Sequence, residues 1–422
     1  MNLQMTHGRL PEGRQTRLLF GLCWLAYVTT YLGRLNYAAC LVEISRTQVW
    51  DKGEAGLVAT AFFTAYGLGQ LVNGCIGDRL APRYMVACGL GCSGIINFLF
   101  PMMFHPAAAA LLWGINGFVQ SMVWSPLIRL LSEWLPAEKR LNACVNMNGT
   151  VPVGTFLVYG MSSVLVFLGS WKWVFRVSGT LLIVMAAVFL VGIGRLDGQV
   201  QPVQESGPRL EQTGTEHIPF GKLALLSAIP LSFVGVLMQG MLKDGVTTWI
   251  PTFLEEQFHI SSAGAILSTM VVPLINLGGV YLASWLNRRL FRNEALGASC
   301  FFGAGFVTLG LLALFPDRSA LVSLLLLAAA TTLMMGINTL IAGMMPSYYV
   351  HYGVCSTVSG ILNSGVYLGS ALSSYLNGAI VELHGWHIII RCWCVYAVVG
   401  IVVCVLSVRA WKKFRIKMKK LG

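Results

Sequence analysis

Residues 18–42 have the sequence LLFGLCWLAYVTTYLGRLNYAACLV, an apolar run that contains one charged residue, Arg34. A helix needs about 20 apolar residues to cross a bilayer, so this run predicts a membrane-spanning helix. A charged side chain at the bilayer centre costs about 2.5–3.5 kcal/mol on insertion scales. A basic residue at that depth therefore indicates a functional site, and Arg34 is the first candidate.

The rest of the chain repeats this apolar pattern. Of its 422 residues, 56% are hydrophobic and 11% are charged, whereas an average soluble protein has about 25% charged residues. The apolar runs are long and do not alternate, which favours helices over an outer-membrane barrel. We predict twelve spans with the approximate bounds 18–42, 53–76, 84–104, 107–134, 142–168, 173–194, 223–254, 263–286, 296–315, 321–344, 354–381 and 388–408.

A polar segment divides these spans into two groups of six. Residues 196–219 are rich in Gln, Glu, Gly, Pro and Thr, a composition typical of a flexible linker. The predicted organisation is a tail at 1–17, a six-helix bundle at 18–194, a linker at 195–222, a six-helix bundle at 223–408 and a basic tail at 409–422. This all-α membrane architecture resembles the major facilitator fold, in which two six-helix halves are joined by a linker.

The net charge of +12 follows from membrane topology and not from a nucleic-acid partner. Most of the 29 Lys and Arg residues lie in the tails, the linker and alternate loops. Because cytoplasmic loops carry such an excess, both termini are predicted in the cytoplasm of a multi-pass protein of the cell membrane. The expected partners are the lipid bilayer and a small anionic substrate, with no nucleic acid, and the chain is expected to be a monomer.

A second basic residue, Lys243, lies in the first span of the second half, as Arg34 does in the first half. Two cations that face one cavity repel each other and lose hydration, so an anion between them relieves both costs. A guanidinium can bind phosphate or carboxylate oxygens through two hydrogen bonds, and an ammonium adds a point charge. The pair therefore predicts a central site for a small anion.

The loop after the second span contains the sequence Gly74-Cys75-Ile76-Gly77-Asp78-Arg79-Leu80-Ala81-Pro82-Arg83. It resembles the major facilitator loop motif Gly-x-x-x-Asp-Arg-x-Gly-x-Arg, with Ala81 in place of a glycine. The resemblance implies that Asp78, Arg79 and Arg83 belong to a charge cluster that holds one side of the protein closed. Arg129 and Glu133, four residues apart on a helix, are predicted to pair and to join this cluster.

Two further motifs are Tyr27-x-x-x-Tyr31-Leu32-Gly33-Arg34-Leu35-Asn36-Tyr37 and Lys243-Asp244-Gly245-Val246-Thr247-Thr248-Trp249-Ile250-Pro251-Thr252. They resemble the organophosphate:phosphate antiporters, which include glycerol-3-phosphate and hexose-6-phosphate transporters. The resemblance implies that Arg34 and Lys243 bind phosphate and that Tyr27 and Tyr31 line the site. Tyr367, another tyrosine within an apolar span, is assigned to the same cavity, and Trp124 either lines that cavity or packs behind it.

Two positions depart from that family, since Val151 replaces its histidine and Gln70 its lysine. The predicted function is exchange of a phosphorylated metabolite for inorganic phosphate by alternating access. Asp244 supports an alternative function, a symporter of organic anions and H⁺, in which this carboxylate is the coupling group. A transporter-like membrane sensor of sugar phosphate is a third alternative. The sequence has no catalytic motif and no metal-ligand spacing, so it predicts no enzyme, cofactor or metal site.

Overall fold

The computed structural model describes residues 8–50, 52–201, 219–260, 272–315 and 319–419. The regular structure in these ranges is helical, apart from one antiparallel bridge between Arg9 and Gln201. Residues 202–218 of the predicted linker and residues 420–422 of the predicted basic tail lie outside the described ranges.

The N-terminal half is built from helices that form six spans. Their bounds are α1 Arg14–Leu32, α2 Leu35–Gln48, α3 Lys52–Gly77, α4 Pro82–Leu99, α5 Pro106–Trp134, α6 Ala137–Met147, α7 Thr150–Leu168 and α8 Trp171–Asp197. Helices α1 and α2 form one span with a break at Gly33 and Arg34. Helices α6 and α7 form another span, with a break at Asn148 and Gly149.

The C-terminal half continues the helical pattern. Its helices are α9 Phe220–Leu226, α10 Ile229–Phe258, α11 Val272–Leu286, α12 Glu294–Leu314, α13 Ala320–Asn338, α14 Cys355–His384 and α15 Trp386–Lys419. A π-helical segment at Asn287–Phe291 follows α11, and short π and 3₁₀ segments follow α13 as far as Tyr352. The last helix continues through most of the segment predicted as a basic tail.

Within the described ranges, nine helical segments are long and apolar enough to cross a membrane, or ten when α9 and α10, which meet at a bend of 68°, count as one span. The two remaining predicted spans correspond to α11 and α14. Helix α11 begins directly after an undescribed range, and α14 has 30 residues but contains many Ser and Asn, which lower its hydropathy. The prediction of an all-α membrane protein is confirmed, and ten of the twelve predicted spans meet this test within the described ranges.

Helix boundaries follow local sequence signals. Ser170 caps α8 by accepting a hydrogen bond from the N–H of Lys172 at 3.3 Å. Asn293 caps α12 by accepting one from the N–H of Leu296 at 3.0 Å. Both side chains satisfy backbone donors that have no partner within the helix.

One end of the bundle is defined by contacts of the N-terminal residues. The N–H of Leu10 donates to the carbonyl of Trp134 at 3.0 Å, and Arg9 and Gln201 exchange backbone hydrogen bonds. This end, at which α3, α5 and α8 finish, is called the linker side below. Near it, the two halves approach closely at α3 and α14, since a Cβ added to Gly74 would lie 2.9 Å from the Cα of Gly360. Small residues permit such close helix packing in membranes.

Candidate functional site

The first span is broken at Gly33 and Arg34, in the middle of its length. The break frees the carbonyl of Gly33 from helical bonding, and two buried amides replace the lost partner. Asn97 Nδ2 donates to this oxygen at 3.2 Å and Asn116 Nδ2 donates at 2.9 Å. Irregular backbone at membrane depth requires such internal satisfaction, and broken helices are characteristic of binding sites in transporters.

These amides belong to a larger buried network. Asn36 Nδ2 donates to Asn97 Oδ1 at 2.7 Å, and Ser93 Oγ donates to Asn116 Oδ1 at 2.6 Å. Gln120 Nε2 donates to Ser93 Oγ at 2.9 Å. This network holds the backbone at Gly33, the residue directly before Arg34, in its position. The sequence prediction did not assign these residues, although asparagines within apolar spans were an available signal.

Arg34 is buried, with an exposed fraction of 7%. Its guanidinium carbon lies 3.8 Å from the ring centroid of Tyr31, and the rings of Tyr27 and Tyr66 are 5.7 and 5.5 Å away. Nη1 donates a hydrogen bond to the hydroxyl of Tyr367 at 3.4 Å. Among the described residues, no acidic side chain forms an ion pair with Arg34. Aromatic faces attract a cation without neutralising it, so an anion can still pair with this guanidinium.

The tyrosine rings around Arg34 form an aromatic cage, and they contact further aromatic side chains. Trp124 contacts Tyr27 in a tilted arrangement with the ring centroids 4.6 Å apart, so its described ring contact is with the tyrosine rather than with Arg34. Tyr66 and Tyr367 meet at 4.4 Å and connect α3 of one half with α14 of the other. The structure thus gathers the predicted tyrosines and adds Tyr66, a tyrosine within an apolar span that was not among the predicted site residues.

Lys243 lies in the other half, on α10. Neighbouring residues point about 100° apart around a helix, but the long side chain of Lys243 still reaches Asp244, with Nζ 2.9 Å from Oδ1. The second oxygen of Asp244 accepts a hydrogen bond from the hydroxyl of Ser370 on α14. The pair is partly exposed, at 19% for Lys243 and 34% for Asp244. Arg34 bonds Tyr367 and Asp244 bonds Ser370, three residues further along α14, so both cations lie beside the same helix.

Gln70 and Val151, the two positions that depart from the antiporter family, have different surroundings. Gln70 is fully buried, and its Oε1 accepts a hydrogen bond from Ser125 at 3.3 Å. Its Nε2 has no hydrogen-bond partner among the described residues. Val151 is half-buried and packs against apolar side chains of both halves. Neither side chain supplies a charge to the site.

Asp78 connects the two halves on the linker side. Its two carboxylate oxygens accept hydrogen bonds from the backbone N–H groups of Ser356 and Thr357, each at 2.8 Å. These donors lie at the N-terminus of α14, where a helix favours negative charge. Burial raises the pKa of Asp78 above its usual value, although the hydrogen bonds from Thr357 and Ser356 favour the charged form. Asp78 therefore bonds across the two halves, not only within its own loop.

The other members of the predicted cluster act within the N-terminal half. Arg129 donates to the carbonyl of Gly77 at 2.6 Å, and its Nε bonds Glu133 at 2.7 Å. Arg83 lies 3.5 Å from Asp197, which connects the start of α4 to the end of α8. Arg79 is exposed.

Comparisons with known proteins identify the family of this chain. The family model described as Major Facilitator Superfamily matches residues 23–358. A probable hexose phosphate transport protein of Chlamydia trachomatis is 23% identical over 87% of this chain and 86% of its own. The glycerol-3-phosphate transporter of Bacillus subtilis is 26% identical over 89% of each chain. The membrane sensor protein UhpC of Salmonella typhimurium is 25% identical over 86% of this chain and 85% of its own.

Among solved structures, the proton:xylose symporter XylE is similar with a TM-score of 0.70 at 12% identity, covering 92% of this chain and 94% of that one. The predicted fold and the predicted family resemblance are confirmed, the latter at low identity. The matched family and these relatives are not enzymes, as predicted for this chain.

Proposed function

Because the chain belongs to the Major Facilitator Superfamily, we propose that it is a secondary active transporter that exchanges a small phosphorylated metabolite for inorganic phosphate across the cell membrane. The observation that carries the proposal is the state of Arg34. It is a buried cation at a break in the first span, within an aromatic cage and without an acidic ion-pair partner among the described residues.

The substrate class follows from the two cations. The relatives named for hexose phosphate and for glycerol 3-phosphate share a phosphate and differ in the organic part. Arg34 and Lys243 suit the shared group, since a guanidinium binds two phosphate oxygens and an ammonium adds a point charge. Inorganic phosphate fits the same pair, which supports exchange. Tyr27, Tyr31 and Tyr367 then contact the phosphate or the organic part, with Trp124 behind Tyr27.

Alternating access requires the contact between the halves on the linker side to break. With both termini in the cytoplasm, as the basic loops indicate, the described conformation is closed to the cytoplasm. Opening on that side separates Asp78 from Ser356 and Thr357, whereas Arg129 stays with Gly77 because both belong to one half.

The contact between Lys243 and Asp244 supports one alternative, a symporter of an organic anion and H⁺. A protonated Asp244 no longer neutralises Lys243, so a proton and a carboxylate substrate could bind together. In the exchanger, Asp244 is the internal counter-ion of Lys243, which the substrate displaces.

The similarity to a membrane sensor supports another alternative, in which the same site binds sugar phosphate and signals to a partner protein. A sensor binds the ligand but does not transport it at a significant rate, so transport assays separate the two.

Uptake into proteoliposomes tests these functions. Vesicles loaded with inorganic phosphate should take up labelled glucose 6-phosphate or glycerol 3-phosphate faster than empty vesicles. Arg34→Ala should abolish uptake, whereas Arg289→Ala, which removes an exposed cation, should preserve it. Uptake driven by a pH gradient and indifferent to internal phosphate indicates the symporter, and binding without uptake indicates the sensor. Normal uptake by Arg34→Ala would contradict the proposed site.

A further inference from the structure

A groove of about 770 Å³ lies on the outer surface of the N-terminal half, between α1 and α8 near the linker side. Its walls include Leu18, Leu22, Val188 and Val191. Both helices belong to membrane-spanning segments, and Leu18, Val188 and Val191 are exposed on the outside of the bundle. The groove therefore opens toward lipid and not toward the central site.

Two arginines line the same groove. Arg14 is the first residue of α1, and Arg195 lies in the last turn of α8. No acidic residue lines the groove, and the nearby Asp197 is engaged with Arg83. Neither arginine forms an ion pair within the described part of the chain. One end of the groove is thus positively charged, and the rest is apolar.

The groove narrows where α1 and α8 approach each other. A Cβ added to Gly192 would lie 2.7 Å from Leu22 Cδ1, so this glycine permits the close contact that closes the groove toward the interior. The resulting shape is a shallow apolar channel with a cationic mouth at the level of the membrane surface.

We propose that this groove binds one anionic phospholipid of the leaflet on the linker side. The headgroup phosphate lies between Arg14 and Arg195, and one acyl chain lies along Leu18, Leu22, Val188 and Val191. Basic pockets between membrane helices bind anionic headgroups, and each acyl methylene that is buried adds to affinity. A soluble phosphate ion gains nothing from the apolar walls, which is why the groove suits a lipid. The lipid ties α8 to α1, the helix that ends at the break beside Arg34.

Native mass spectrometry of the purified full-length protein tests this proposal. The probes are phosphatidylglycerol and phosphatidylcholine of equal chain length, added at equal concentration to protein in a neutral detergent. We expect preferential retention of one phosphatidylglycerol. The double variant Arg14→Gln/Arg195→Gln should weaken this retention by about fivefold for each arginine removed, the contribution of a basic residue near an anionic surface.

A matched double variant tests whether lipid retention depends on the groove or only on the positive charge of the protein. Lys222→Gln/Arg289→Gln removes two exposed positive charges elsewhere and should leave retention unchanged. Val191→Trp keeps both arginines but fills the apolar channel, and it should lower retention of long-chain lipid more than that of short-chain lipid. Equal loss in the two double variants, or equal retention of the two lipids by the unmodified protein, would overturn the proposal. None of these outcomes depends on transport.

Discussion

The ring of Tyr31 lies against the guanidinium of Arg34, with 3.8 Å between the guanidinium carbon and the ring centroid. Tyr31 also touches α7 at Gly154, where an added Cβ would lie 2.6 Å from Tyr31 Cβ. The absence of a side chain at Gly154 therefore allows the tyrosine to occupy its place beside the cation.

Replacing Gly154 by alanine should disturb the site without touching a charge. The new methyl group forces the Tyr31 ring or α7 to move, which weakens a cation–π contact of about 1–2 kcal/mol. We expect substrate affinity to fall by roughly 5- to 30-fold in a binding or uptake assay. Gly160→Ala on the same helix is the matched control, because a Cβ there meets nothing within 4 Å. Equal behaviour of the two variants would show that Gly154 does not position Tyr31.

The carbonyl of Gly33 depends on buried amides, so Asn116→Leu should destabilise the protein. The change removes the donor at 2.9 Å and leaves Ser93 without its acceptor on Asn116. An unsatisfied buried polar group costs about 1–3 kcal/mol, and thermal unfolding in detergent should reveal a lower midpoint together with weaker phosphate binding. Ile115→Ala, at a neighbouring and exposed position, should change neither. Normal phosphate binding by Asn116→Leu would separate the amide network from the site.

Removal of the carboxylate at Asp78 should favour opening on the linker side. Asp78→Ala leaves the N–H groups of Ser356 and Thr357 without their described acceptor. Distances between spin labels at Leu80 and Lys412, one in each half, should then lengthen when they are measured by double electron–electron resonance. Asp78→Asn keeps an acceptor oxygen without the buried charge and should leave the distances at their closed values. Unchanged distances in Asp78→Ala would mean that other contacts hold this side closed.

The same distances should depend on pH, with a sign set by the pKa of Asp78. Burial raises the pKa of this carboxyl in the closed form, whereas an open form exposes it to water and lowers the pKa toward the usual value. The closed form thus binds a proton more readily, so acidification favours closure, and this advantage is lost as the pH rises through the raised pKa. The variant Asp78→Ala should lack this part of the pH dependence.

Asp244→Asn should release Lys243 from its internal counter-ion. The ion pair is partly exposed, and such pairs contribute at most about 1 kcal/mol, so phosphate affinity should rise by no more than about fivefold in a thermal-shift titration. Ser370→Ala removes only the hydroxyl that donates to Asp244 and should leave the affinity nearly unchanged. In an exchanger, Asp244→Asn still transports. If the variant loses all pH-driven uptake, the symporter is the better description.

Local sequence carries much of the fold. Long apolar runs predict the spans, and the composition of residues 196–219 predicts the division into halves. Boundaries are less predictable, because the interruptions at Gly33 and at Asn148 follow from tertiary contacts and not from the hydropathy of their spans. The first span appears continuous in the sequence, because the side-chain amides that bond the free carbonyl of Gly33 come from other helices, α4 and α5.

The sequence by itself determined that Arg34 and Lys243 are charges at membrane depth, because hydropathy and charge are local properties of each span. Only the tertiary structure decided how these charges and Asp78 are engaged. Tyrosines from three helices surround Arg34, Ser370 of α14 donates to Asp244, the counter-ion of Lys243, and the N-terminus of α14 donates to Asp78. These contacts join residues far apart in the chain, and their geometry depends on how the helices pack. The cost of a buried charge is therefore predictable from sequence, but the groups that offset that cost are not.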